Sequence, residues 1–291
     1  MPFSHHSHSG QFCPGHARDS LEDIINLAIS KRMQVLALTE HMPRHDEDRY
    51  PEEIEAGVTL ASHYSNESAY FAEANRLREQ YKDQIDLLVG FEGEWIRPES
   101  ADLVKRSIST YQYDFFIGSV HHMHTIPIDY DREMYEKARH VSGGTDARLF
   151  EDYFDQQLAM LRALQPPVVG HFDLIRLKSD SPNGSFQNMS GVWDRILRSL
   201  DYIASYGGIL EINSASLRKG MDEPYPKAEI CQVGLNYGRV LPFLEEIGLT
   251  LVTFLRNDGS QQEESDSRFP RLRCDYVELR ELRNHAFWDV S

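Results

Sequence analysis

Thirteen histidines among 291 residues are the unusual feature of this chain, and many of them stand beside carboxylates at spacings suited to holding a metal ion. In His6-Ser7-His8 two rings lie on the same side of an extended backbone, so both can reach one cation. Further on, Glu40-His41, Glu92-Gly93-Glu94, His121-His122, His171-Phe172-Asp173 and Glu211-Ile212-Asn213 each close a short apolar run, and His16 sits ahead of the first helix. Imidazoles and carboxylates together suit borderline cations such as Zn, Mn or Fe. One carboxylate can bridge two ions, which makes Glu92 or Glu94 a natural centre for a binuclear site. Taken singly, His41 or His171 reads as a hydrogen-bonded core or surface histidine, and His5, His6 and His8 read as a tag remnant. Sites in phase with successive strand ends argue instead for one shared cluster. Met123, His124 and His140 fall in irregular stretches and read as surface residues or supports.

The elements that position these residues follow from hydrophobic periodicity. Leu21, Ile24, Ile25, Leu27, Ala28 and Ile29 recur at helical spacing behind an S-x-x-D start at Ser20 and Asp23, which predicts a helix over Ser20 to Met33. The apolar run Gln34 to Thr39 then reads as a buried parallel strand. The alternation repeats: helices over Ser65 to Gln84, Ala101 to Tyr111, Ala147 to Leu164 and Val192 to Tyr206 precede strands at Ile85 to Phe91, Asp114 to Val120, Pro167 to Gly170 and Gly208 to Asn213. Alternating helix and strand predict an α/β fold with parallel strands, whose functional face lies at the strands' C-terminal ends. Arg44 to His63 and Ile126 to Asp146 lack periodicity and read as long loops. Past Asn213 the alternation fails. Pro226 to Ile230 starts one helix, Leu235 to Ile247 reads as another, and no strand fits between them. Leu249 to Leu255 reads as a strand, Asn257 to Arg268 as a loop, and Val277 to Arg283 as helix-like. With no repeat or linker, residues 1–255 read as one barrel domain and 256–291 as a C-terminal tail.

Composition narrows the function. A net charge of −16 disfavours nucleic acid and anionic membrane as partners. No run reaches the ~18 apolar residues of a membrane span and the first residues lack the apolar core of a secretory signal, so a cytoplasmic protein is expected. Three widely spaced cysteines form neither a disulfide framework nor a CxxC ribbon. There is no GxxxxGK[ST], no GxGxxG after a strand and no GxSxG, so nucleotide-fold and serine-hydrolase readings have no support.

The segments Ser4 to Gly10 with Cys13-Pro-Gly-His16, Thr39-Glu-His41, Gly90-Phe-Glu92, Gly118-Ser-Val-His121, Gly170-His-Phe-Asp173, and Glu211-Ile-Asn213 with Leu217-Arg-Lys-Gly220 resemble, in order, the polymerase and histidinol phosphatase (PHP) family. Within it they are most similar to the fungal-type histidinol-phosphatase branch. The resemblance implies a distorted (β/α)7 barrel with two or three divalent metals at its C-terminal face. By the same resemblance His6, His8 and Glu92 would hold the first metal, with Glu92 bridging to a second held by His121 and His171, while His16 and His41 would hold a third. Arg176 and Arg218 would grip a substrate phosphate, as suits a guanidinium fork, and Glu40 and Asp173 would orient ligating imidazoles.

One family motif, a strand ending in Ser-Asp-Asp-Ser-His-Gly, should fall between Glu229-Ile-Cys231 and Val233, which Gln232 alone joins here. The barrel is therefore expected to lack one strand, with metal occupancy reduced. The activity implied is metal-dependent hydrolysis of a small phosphate ester, L-histidinol phosphate, to L-histidinol and phosphate, with no phosphoenzyme residue. The alternatives are an inactive metal-binding paralogue or truncated product, and a phosphatase for another small ester. Which oligomer forms is left open.

Overall fold

The structure is a computed structural model that describes residues 3–236, 251–256 and 272–277. Its strands are β1 (Phe3–Ser4), β2 (Val35–His41), β3 (Asp86–Glu94), β4 (Phe115–Ser119), β5 (His122–Met123), β6 (Ile126–Pro127), β7 (Val168–Val169), β8 (Ile209–Leu210), β9 (Leu251–Arg256) and β10 (Leu272–Val277). Six of them make one sheet in the order β1-β2-β3-β4-β7-β8, with β1–β2, β2–β3 and β7–β8 parallel. Helices connect these strands as the alternation predicts, so the α/β class holds, with six strands in that sheet among the described residues.

The described residues divide into two compact units, 3–92 with 105–117, 251–256 and 272–277, and 93–104 with 118–236. In the first unit the helix Leu21–Ser30 begins as its sequence dictates, Asp23 N donating to Ser20 Oγ and Ser20 N to Asp23 Oδ2. It buries Leu21, Ile25 and Ala28 against Leu36 and Leu38 of β2 and Leu87 and Val89 of β3. The helix Leu60–Tyr81 adds Tyr70, whose buried hydroxyl bonds the carbonyls of Leu38 (2.6 Å) and Gly90 (2.8 Å), tying β2 to β3 just below their functional ends. In the second unit the helices Asp146–Leu164 and Ser190–Tyr206 pack a core of Phe150, Phe154, Leu158, Ile196 and Leu200 against Val169 and Leu210.

Several expectations change. The stretch Ile126 to Asp146, read as a loop, contains a helix over Arg132–Val141, capped by Asp131 accepting from Met134 N (2.7 Å). Only Tyr135 and Ala138 of that helix are buried, too few apolar positions to register as a period. Arg44 to His63 likewise holds the short helix Pro51–Glu55 and the start of Leu60–Tyr81, where Thr59 caps Ser62 N. Leu235 and Asn236 end the helix Ala228–Asn236, which runs through Cys231, Gln232 and Val233, and the rest of the helix expected over Leu235 to Ile247 lies outside the described residues. The strand expected at Leu249 to Leu255 is β9, paired antiparallel with β10. Val277 ends β10 rather than starting a helix, and residues 278–283 and the loop 257–268 lie outside the described residues.

Candidate metal centre

In the first unit the chain beyond β1 stays extended alongside β2. Ser7 N donates to Thr39 Oγ1 (2.9 Å), Thr39 N to Ser7 O (3.1 Å) and Ser7 Oγ to Ala37 O (2.6 Å). Because side chains alternate along an extended backbone, His6 and His8 share the opposite side. The β2–β3 register sets His41 directly opposite Glu92. The outcome is a buried carboxylate oxygen, Glu92 Oε2, lying 3.2 Å from His6 Nε2, 3.2 Å from His8 Nε2 and 3.3 Å from His41 Nδ1. His6 Nε2 and His8 Nε2 are 3.0 Å apart, as are His41 Nε2 and His16 Nδ1. His16 arrives on a loop closed by Gly10 N donating to Asp19 O (2.8 Å). A Cβ on Gly10 would stand 2.5 Å from the Arg18 backbone, so the closure requires glycine. The same loop carries Cys13, whose Sγ and one donor atom each from His8 and His41 lie within 4.8 Å of one another.

This donor set fits a small divalent cation. Two ring nitrogens 3.0 Å apart can share one proton at most, whereas nitrogens bound tetrahedrally to one zinc at about 2.05 Å stand about 3.3 Å from each other. Glu92, 1% exposed, also needs nearby positive charge. Burial holds His41 well below the usual histidine value, which leaves a ring lone pair for a metal. For His8 burial also lowers it, but the Glu40 and Glu92 carboxylates together carry it above that value. Glu40 stands behind His8 with Oε2 3.7 Å from Nδ1, fixed by Ser9 N (2.7 Å) and Ser9 Oγ (2.6 Å) donating to Oε1.

The second unit holds its own group. His121 follows β4 and His171 follows β7, and their Nε2 atoms are 3.2 Å apart. Glu94 Oε1 lies 3.4 Å from His121 Nδ1 and 2.8 Å from His122 Nδ1. His171 N donates to Glu211 Oε2 (2.8 Å), and Asn213 Nδ2 to Glu211 Oε1 (3.0 Å). Two amides on the helix Asp146–Leu164 hold the strand ends, Gln156 Nε2 donating to His122 O (2.7 Å) and Gln157 Nε2 to Phe172 O (2.8 Å). Sequence reasoning missed these glutamines, because polar residues inside a helical pattern read as its solvent face.

Arg176 is not placed to grip a substrate. It is 1% exposed, and its five N–H groups go to Asp173 Oδ2 (2.9 Å), Pro182 O (3.0 Å), Met221 Sδ (3.1 Å), Glu223 O (2.9 Å) and Pro224 O (2.7 Å). A guanidinium has five donors, so none remains for phosphate. Asp173 correspondingly bonds Arg176 and Lys227 N (3.1 Å) and not an imidazole, and burial pushes its carboxyl up to about 6. Arg218 is exposed on the helix Ala215–Arg218. Met123 is buried in β5 and His140 lies on a helix, against the reading of both as residues of irregular stretches, while His124 is exposed. No helix among the described residues is long and apolar enough to cross a membrane.

Comparison with known proteins adds to this geometry. The family model described as PHP domain matches residues 4–215. A Schizosaccharomyces pombe protein named probable histidinol-phosphatase is 41% identical over 284 residues, covering 89% of this chain and 92% of its own. The Saccharomyces cerevisiae histidinol-phosphatase is 28% identical over 341 residues, covering 98% of each chain. That alignment is longer than the 291 residues here, so the yeast protein carries residues with no counterpart in this chain. Among solved structures, histidinol phosphate phosphatase from Lactococcus lactis, complexed with zinc, L-histidinol and phosphate, has a TM-score of 0.63 at 17% identity, covering 87% of this chain and 96% of that one. A Listeria monocytogenes protein reaches a TM-score of 0.71 at 20% identity, covering 82% and 92%.

Proposed function

Because the chain belongs to the PHP domain family, we propose that it is a metal-dependent phosphomonoester hydrolase that converts L-histidinol phosphate and water to L-histidinol and phosphate, a step of histidine biosynthesis. The observation that carries this reading is the convergence of His6, His8 and His41 on the buried Glu92 carboxylate, a donor set that suits a divalent ion, in a chain 41% identical to a protein named for that activity. His6, His8 and Glu92 would hold one ion, His16 and His41 another, and His121 with His171 a third, with zinc, manganese or iron as the candidates. Divalent ions bound there would polarise the phosphoryl oxygens and lower the pKa of water.

The chain's own residues do the positioning. Glu40 turns His8 by facing Nδ1, and Ser9 keeps that carboxylate in place. Glu94 does the same for His121 and His122, and Glu211 fixes the backbone that presents His171. Arg218, exposed on its short helix, would offer its guanidinium to a phosphate. Arg176 and Asp173 instead brace the loops around Pro182 and Pro224. The reading is tested by phosphate release from a panel of L-histidinol phosphate and unrelated small phosphate monoesters. Preference for the first by tenfold or more in kcat/KM supports it, and equal rates across the panel would point to a general phosphatase.

A second reading has its own observation. The helix Ala228–Asn236 runs unbroken through Cys231, Gln232 and Val233, where the resemblance calls for a strand and two further metal ligands. A chain without them could bind metal and turn over slowly or not at all. Full metal content with no phosphate release would favour this reading.

A further inference from the structure

We propose that Cys13 is itself a metal ligand, its thiolate joining ring nitrogens of His16 and His41 in a mixed nitrogen and sulfur donor set, with His8 of the neighbouring ion's set beside it. The inference rests on the metal-binding reading above and adds a ligand to it. Three donors of different residues, Cys13 Sγ and one nitrogen each from His8 and His41, lie within 4.8 Å of one another. Sulfur and nitrogen donors on a tetrahedral zinc, at about 2.3 and 2.05 Å, stand roughly 3.6 Å apart. Small rotations of the Cys13 side chain and the His41 ring would close that distance.

The thiol is delivered by a built loop. Cys13 N donates to Ser9 O (2.9 Å), and Ser9 in turn gives both its N and its Oγ to Glu40, the carboxylate behind His8. His16 N and Ala17 N both donate to Cys13 O (3.0 and 3.3 Å), winding Cys13-Pro14-Gly15-His16 into a single turn. That turn carries His16 to 3.0 Å from His41, so one loop directs a thiol and an imidazole toward the same partner ring. Burial first, and then the charge of Glu40 and Glu92, disfavours a bare thiolate, and a bound cation supplies the opposing charge. Cys231 is a natural contrast: it is buried with its Sγ 3.8 Å from Pro226 O, and it belongs to no cluster of possible ligands among the described residues.

A soft donor changes which metals the site prefers. Thiolate ligation favours zinc, cobalt or cadmium over magnesium and manganese, which carboxylate and imidazole alone would discriminate less. The test uses the full chain with Cys231→Ser and Cys274→Ser, so that Cys13 is the sole thiol, reconstituted with Co²⁺. We expect a near-ultraviolet sulfur-to-cobalt charge-transfer band, and we expect Zn²⁺ to slow modification of the thiol by a disulfide reagent at least tenfold. Cys13→Ser should abolish the band while cobalt bound elsewhere keeps its weaker visible bands. Cobalt uptake with no charge-transfer band, or thiol modification at the same rate with and without zinc, overturns the role of Cys13 and leaves the metal reading standing. Failure to take up any cobalt overturns both. The zinc-protection measurement needs no substitution at Cys13, so it decides the matter even if Cys13→Ser does not fold.

Discussion

Replacing Arg176 separates the role its sequence position suggests from the role its surroundings assign. If Arg176 held a substrate phosphate, Arg176→Met would raise KM and leave the fold intact. In the structure the change removes a guanidinium that is 1% exposed and leaves Asp173 as a buried carboxylate with its ion-pair partner gone. The carbonyls of Pro182, Glu223 and Pro224 lose a donor as well. Breaking a buried pair from one side costs about 3–5 kcal/mol, which at a few degrees per kcal/mol lowers Tm by roughly 10 °C. The loss should also depend on pH. Burial raises Asp173 to about 6, against the pull of Arg176. That folded value lies above the ordinary value near 3.9, so the group's contribution is fully present at low pH and is lost as pH rises through the folded pKa. Removing Arg176 raises the folded value further, so the deficit of the variant should be larger at about pH 8 than at about pH 5. Chemical and thermal denaturation at the two pH values, with steady-state kinetics on whatever remains folded, is the assay. A variant with the parent's melting temperature and a raised KM would refute the structural assignment.

Arg218→Ala is the complementary change: because the side chain is exposed, KM for a phosphate ester should rise about tenfold or more with Tm within a degree or two, as a lost charged hydrogen bond of about 1.5–3 kcal/mol requires. Glu40→Gln keeps an oxygen for Ser9 but removes the charge facing His8, so metal affinity, read by competition with a chelator, should fall roughly 10- to 100-fold with the fold retained. Tyr70→Phe deletes the hydroxyl that joins the Leu38 and Gly90 carbonyls and should cost about 1–3 kcal/mol in urea denaturation while leaving the metal stoichiometry unchanged. Gly10→Ala drives a Cβ to 2.5 Å from the Arg18 backbone, and the expected result is loss of metal at the His16 loop before any global loss of helix by circular dichroism.

Much of this molecule is legible in its sequence for a definite reason. Buried parallel strands must be continuously apolar, so Val35 to Leu38 and Leu87 to Val89 stand out, and the polar residues that end these strands, Thr39-Glu40-His41 and Glu92, fall at the functional ends. The helix cap at Ser20 and Asp23 is likewise local chemistry, readable without tertiary information. The helix Arg132–Val141 was hidden because ion pairs such as Lys137 with Glu133 line its exposed side, and they carry no apolar period. Arg176 misled for a different reason. An arginine just after His171-Phe172-Asp173 looks like an anion clamp, and only the folded positions of Pro182, Glu223 and Pro224, up to 48 residues away, show that its donors are taken. Cys13 has no cysteine at metal-binding spacing in the sequence, whereas its neighbours in space include histidines.

The most direct test of the account is phosphate release from L-histidinol phosphate by the full chain after exhaustive chelation and then stepwise return of Zn²⁺ or Mn²⁺, with bound metal counted at each step. The account predicts no release from the chelated chain and release that climbs with bound metal. Release that survives chelation, or a fully metal-loaded chain that releases no phosphate, would contradict it.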